Sequence, residues 1–256
     1  MSIEPRVRPR GFSRRVRIAL GLSIAVGVSI ATGFASPRPS AAAEGDPSAI
    51  SLAESVLENI GGPEGWAATR YLVWNFRGLR RHHWDRWTGD IRVETDSTVV
   101  LLNVGTREGR FFHGGEEVTD PEQRREALDL GYAQWINDSY WLIMPAKLLD
   151  PGVHLADGGA STLTDGRAAR KLVVTFADGT GLTPANKYDV WVADETGLVE
   201  QWAYYPDVRD PEPRFVRPWA AWQWFGRVRI ATDHGDGKDW EIAAPDTLVE
   251  TLFRVP

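Results

Sequence analysis

The chain has 256 residues, 12 of them tryptophan and none cysteine, which excludes disulfides, thiol catalysis, cysteine-bound zinc and a lipid-modified N-terminal cysteine. Of its 29 basic and 35 acidic residues, seven Arg and one Glu precede Glu44, leaving 22 and 34 and a formal net charge of −12 over residues 44–256. So acidic a region repels phosphate backbones and anionic membrane surfaces, which argues against nucleic acid as a partner.

Residues 1–43 read as an export signal. Arg6, Arg8, Arg10, Arg14, Arg15 and Arg17 form a basic start, IALGLSIAVGVSIATGFA an apolar middle, and ASPRPSAAAEG a run of small residues. Cleavage is expected after Ala43, with Ala35 as second choice. Ser13-Arg14-Arg15 resembles the twin-arginine type, with Arg17 where that motif takes an apolar residue. The expected location is periplasmic or secreted. The alternative is an uncleaved anchor, since the apolar run is at the lower edge of a membrane span, with the rest facing outward.

DPSAISLAESVLENIGG (46–62) predicts one helix. Asp46 is its cap, Pro47 its first residue, Ile50, Ala53, Val56, Leu57 and Ile60 its apolar stripe, and Gly61-Gly62 its end. From Tyr71 the period becomes two. Leu72, Trp74 and Phe76 share a face, Ile91 and Val93 point inward with Arg92 and Glu94 outward, and STVVLLNV is apolar on both faces. With close turns between them, these runs predict an antiparallel meander.

A helical insert follows over 121–149. Asp120 caps a helix over 121–136, Asn137-Asp138-Ser139 interrupts it, and SYWLIM forms a second short helix capped by Asp138 and stopped by Pro145. That cap predicts a loss of about 1 kcal/mol for Asp138→Ala. Strands resume with ARKLVVTF. KYDVWVAD and LVEQWAYY flank an Asp194–Gly197 hairpin loop, and FGRVRIAT and DWEIAAP flank another at His234–Lys238.

The fold class expected for 44–256 is α+β, mostly antiparallel: a single domain built as a curved half-open barrel under an N-terminal helix and a helical lid. The hairpin VWVADETGLVEQWAYY resembles the recurrent strand–Asp–x–x–Thr–Gly–Leu–strand element of the LolA/LolB-like lipoprotein-carrier superfamily. WINDSYWLIMPAKLLDPGV and GLTPANKY resemble segments of an uncharacterised exported bacterial branch with this fold. The resemblance spans about residues 48–250 and implies a half-barrel that carries lipid chains between membranes.

Chemistry motifs are sparse. No G-x-S-x-G, phosphate loop or dinucleotide fingerprint occurs. In His82-His83-Trp84-Asp85-Arg86, His83 and Asp85 share one strand face and His82 and Arg86 the other, without metal-ligand spacing nearby. The stronger signal is aromatic: Trp74, Trp84, Trp135, Tyr140, Trp141, Met144, Trp191 and Trp202 are the expected ligand-binding residues, lining a cavity between sheet and lid.

The leading expectation is a binder or carrier of an apolar ligand, such as a lipid or lipoprotein acyl chain, with no cofactor, metal or catalytic residue. An envelope protein is a second partner, and the membrane is met transiently or through an uncleaved N-terminal segment. The alternatives are a carbohydrate-binding or envelope-interaction module with tryptophan platforms, and an enzyme using the His82–Arg86 cluster.

Overall fold

The computed structural model describes residues 42–256, so the export-signal reading lies outside the described residues except at Ala42 and Ala43. Among the described residues no helix is long and apolar enough to cross a membrane.

The strands sort into two six-stranded sheets and a hairpin. Sheet one is a meander in chain order: β2 (Tyr71–Phe76), β3 (Arg80–Asp85), β4 (Asp90–Glu94), β5 (Thr98–Asn103), β6 (Gly109–His113) and β7 (Glu116–Glu117). Sheet two is ordered β1 (Glu44–Gly45), β8 (Val153–Thr162), β9 (Ala168–Phe176), β10 (Lys187–Ala193), β11 (Val199–Tyr205) and β12 (Phe215–Pro218). Neighbouring strands run antiparallel in both sheets, apart from the short parallel contact of β1 with β8. β13 (Ala220–Phe225) pairs with β14 (Val228–Asp233). Three α-helices cover these sheets: α1 (Pro47–Asn59), α2 (Gly62–Ala68) and α3 (Pro121–Ile143). The architecture is α+β, and neither sheet closes into a barrel.

The N-terminal helix stands where expected, as α1, and a second helix, α2, follows it from Gly62. Gly61 takes φ +120° between α1 and α2, and a Cβ built there would lie 2.5 Å from the Arg227 carbonyl oxygen, so only glycine admits the turn between β13 and β14. Asp46 stands at the start of α1 behind Pro47, but its carboxylate accepts the Asp157 N–H of β8 at 2.8 Å instead of capping. α1 turns Ala49, Ala53 and Val56 onto Leu155, Leu172 and Val190 of sheet two.

The insert differs more. α3 is continuous through Asn137-Asp138-Ser139, so Asp138 caps nothing. Asp120 does cap, accepting the Gln123 N–H at 2.9 Å, with Pro121 as first residue. Polar residues break helices by competing for local backbone groups. In α3, Asp138 is engaged by side chains from sheet one, and Ser139 donates back to the Ile136 carbonyl at 3.3 Å, so the helix runs on. α3 lies on sheet one, Leu128 packing with Val100 and Leu102. Gly131 allows the close approach, since a Cβ there would sit 2.7 Å from Val100 Cγ1.

The expected hairpin around His234–Lys238 does not form. β14 turns at Gly226 to pair with β13, and residues 240–243 run along the open edge of β2. Val73 and Ala243 exchange N–H···O bonds of 2.9 Å, and Asn75 N–H donates to the Trp240 carbonyl at 2.6 Å. The C-terminal residues then cover the outer face of sheet one. Phe253 stacks on Tyr71 at 6.4 Å, and Arg92, outward as expected but buried, donates to the Leu252 carbonyl at 3.0 Å.

Candidate functional site

Strand alternation sets Arg80, His82 and Trp84 on the inner face of β3, against α3, and Arg81, His83 and Asp85 on the outer face. Arg80 grips Asp138 of α3 with both ends of its fork, Nε–H to Oδ2 at 2.6 Å and Nη2–H to Oδ1 at 2.8 Å. His82 Nε2 lies 2.7 Å from the same Oδ2, and Asn137 Nδ2 donates to Oδ1 at 2.9 Å. His82 and Asp138 are both fully buried. Burial lowers the His82 pKa more than the Asp138 carboxylate raises it, so the ring is neutral at pH 7. Its Nε2 carries the proton given to Asp138, and one Arg⁺ balances one Asp⁻. His82 stacks on Trp74, centroids 4.5 Å apart.

Beyond this ionic knot α3 reaches sheet two. Tyr140 and Trp141 meet a cross-strand row on the inner face of that sheet, where Tyr188, Tyr204 and Phe215 are direct neighbours in register. Trp141 packs edge-on against Trp202 at 4.9 Å and lies 5.7 Å from Phe215, while Tyr140 is 5.3 Å from Tyr188 and 6.0 Å from Phe176. Tyr188 and Trp202 are buried, whereas Tyr140, Trp141, Phe176, Tyr204 and Phe215 are only partly buried. The result is a half-open aromatic seam with a closed floor. Asn186 and the hydroxyls of Tyr188 and Tyr204 form a polar lip, each within 3.5 Å of the amide. Asn186 Nδ2 donates to the Tyr188 hydroxyl and Oδ1 accepts from that of Tyr204, and burial pushes both hydroxyls' pKa values up.

The expected binding residues therefore divide. Tyr140, Trp141 and Trp202 come together at the seam, with Met144 buried in the same cluster. Trp74, Trp84 and Trp135 belong to the core over sheet one, where Trp84 meets Trp135 edge-on at 5.1 Å. Trp191 lies on the other face of sheet two, donating to Ser161 Oγ at 2.9 Å, and takes no part in the seam. Sequence reasoning missed Phe176, Tyr188, Tyr204 and Phe215. Uninterrupted alternation outward from the Gly197 turn would have grouped Trp191 with Trp202; the β-bulge that skips Glu200, pairing Val192 with Val199 but Trp191 with Gln201, is what sets Tyr188 beside Trp202 and Tyr204 and turns Trp191 away. The His82–Arg86 cluster is split. His82 serves Asp138, and Asp85 takes a bidentate pair from Arg70, including 2.7 Å to Nη2.

In class, the chain is an α+β protein of open antiparallel sheets whose helical insert and second sheet share an aromatic seam. No family model and no curated protein matches it. Among solved structures, a DUF1329 family protein from Desulfovibrio piger is similar at 11% identity and TM-score 0.43, over 80% of this chain and 97% of that one. An uncharacterized conserved protein from Thermus thermophilus is similar at 13% identity and TM-score 0.27, over 82% and 94%. Neither assigns a role to any residue of this chain.

Two predictions follow from the geometry. Asp138→Asn leaves Arg80 without its counter-ion and is expected to lower unfolding free energy by about 3 kcal/mol in urea titration; a loss near that of a helix cap would contradict the ionic knot. Burial lowers His83 and His234 from 6.5 to about 4, so in the folded state each gives up its proton more readily than when unfolded. Their contribution is whole above pH 6.5 and shrinks as pH falls from 6.5 toward 4. Stability should decline across that window, and His234→Phe should flatten the decline.

Proposed function

We propose that this chain is an exported binder or carrier of an apolar ligand, such as a lipid or acyl chain, held at the seam between α3 and sheet two. The observation that carries the reading is the row of five partly open rings on a closed aromatic floor. Aromatic rings left half-open side by side, with a few polar groups at one lip, suit a mostly hydrocarbon guest whose end is polar. The resemblance of the 190–205 hairpin to the LolA/LolB-like carriers and the signal-like start of the chain support the same reading. We read no catalytic role into the 82–86 cluster, because His82 turns inward to Asp138 while Asp85, on the outer face with His83, is held by Arg70.

A carbohydrate-binding or envelope-interaction module is the second reading, and one observation favours it: Trp87 and Trp224 are 62% and 60% exposed. Stacking on sugar would use those two rings and leave the seam idle.

Native mass spectrometry of the full chain should show a co-purifying lipid, and a fluorescent apolar probe should bind the delipidated protein. Trp141→Ala and Tyr204→Ala should each weaken probe binding by roughly tenfold while retaining the circular dichroism of the parent. Parent-like binding by both variants would remove the seam as the site, and sugar binding lost in Trp87→Ala or Trp224→Ala would favour the second reading.

A further inference from the structure

Arg80 and Arg70 are each held by a carboxylate, Asp138 for the first and Asp85 for the second. Arg217 is different. Alternation along β12 puts Phe215 and Arg217 on the inner face of sheet two, and the register sets Arg217 directly opposite Trp202. Its guanidinium lies over the Phe215 ring, 4.9 Å from the centroid. It is partly buried, and among the described residues no carboxylate lies within ion-pair distance of it. In a region of net charge −12, an inward cation beside an aromatic floor without a counter-ion is conspicuous.

Behind the inner face of β12 lies a closed aromatic layer. Trp202 and Trp219 are fully buried, and neither indole N–H finds an acceptor. Trp219 packs on Trp202 at 5.4 Å and on His234 at 4.8 Å, and neither nitrogen of buried His234 has a partner. The acids beside His234 are engaged elsewhere. Asp233 accepts the Gly235 N–H at 2.8 Å, and Asp236 is bound by Arg77 and by Trp240 Nε1–H at 3.2 and 3.1 Å. A guanidinium resting on a ring face is partly desolvated, which strengthens a bidentate bond to a carboxylate or phosphate.

We propose that Arg217 anchors an anionic headgroup, and that the ligand class is a single-chain anionic amphiphile, a carboxylate or phosphate monoester, whose tail lies along the seam. This rests on binding at the seam as proposed above and adds the sign of the headgroup and the residue that reads it.

The test is displacement of the neutral probe N-phenyl-1-naphthylamine from the full chain by three competitors of equal chain length: palmitate, hexadecyl phosphate and hexadecanol. At least one anion should compete roughly tenfold or more better than hexadecanol, and the stronger of the two identifies the headgroup. Added salt should narrow the gap. Arg217→Gln should abolish the anion preference and leave hexadecanol unchanged, and Arg217→Lys should keep part of the preference. Equal competition by all three, or an anion preference surviving in Arg217→Gln, overturns the anchor and leaves the seam standing. Failure of the probe and all three competitors to bind overturns the seam reading and the anchor with it.

Discussion

A carboxylate buried in the middle of a helix governs this structure. Asp138 is inaccessible to solvent, and its charge is tolerated because Arg80 and His82 reach it from one strand of sheet one. An isolated buried charge costs several kcal/mol, so the helix is held to the one rotation in which the three groups meet. At about 100° per residue, Tyr140 then stands roughly 200° round the axis from Asp138. Fixing Asp138 toward sheet one therefore turns Tyr140 toward sheet two, and Trp141 follows it into contact with Trp202 and Phe215. The ionic knot and Tyr140 lie on opposite faces of the same turns of α3, with Trp141 between them, meeting both Phe76 of sheet one and Trp202 of sheet two.

Much of the fold was legible because it rests on local periodicity. The meander of sheet one, the Asp120-Pro121 start of α3 and the hairpin at Gly197 each follow from alternation or cap chemistry within a few residues. What escaped depends on partners distant in sequence. Asp138 looks like a cap because Asn-Asp-Ser favours local hydrogen bonds, and it takes Arg80 and His82, 58 and 56 positions earlier, to make it an interior helical residue. Residues 240–243 look like a hairpin arm, but the open edge of β2 offers backbone donors and acceptors that they satisfy instead. β8 was missed because its Asp157-Gly158-Gly159 stretch blurs the period and bulges against β9.

The binding residues were half legible for the same reason. Large aromatics mark both interiors, and composition does not say which of the two a ring joins. Trp74, Trp84 and Trp135 pack over sheet one, whereas Trp141 and Trp202 meet over sheet two. Trp191 and Trp202 differ by an odd number of positions across the hairpin pairing, which puts them on opposite faces. Arg217 carried no sequence signal at all. Its interest comes from register, which sets it on the inner face opposite Trp202.

The dependence of the seam on the ionic knot is tested most directly by amide hydrogen exchange along α3 in Arg80→Met against the parent. Loss of the guanidinium should speed exchange selectively over residues 136–143, the turns that carry Asp138, Tyr140 and Trp141, while the turns around Leu128 keep parent-like protection. Uniform acceleration along α3, or none, would show that the knot does not position the seam.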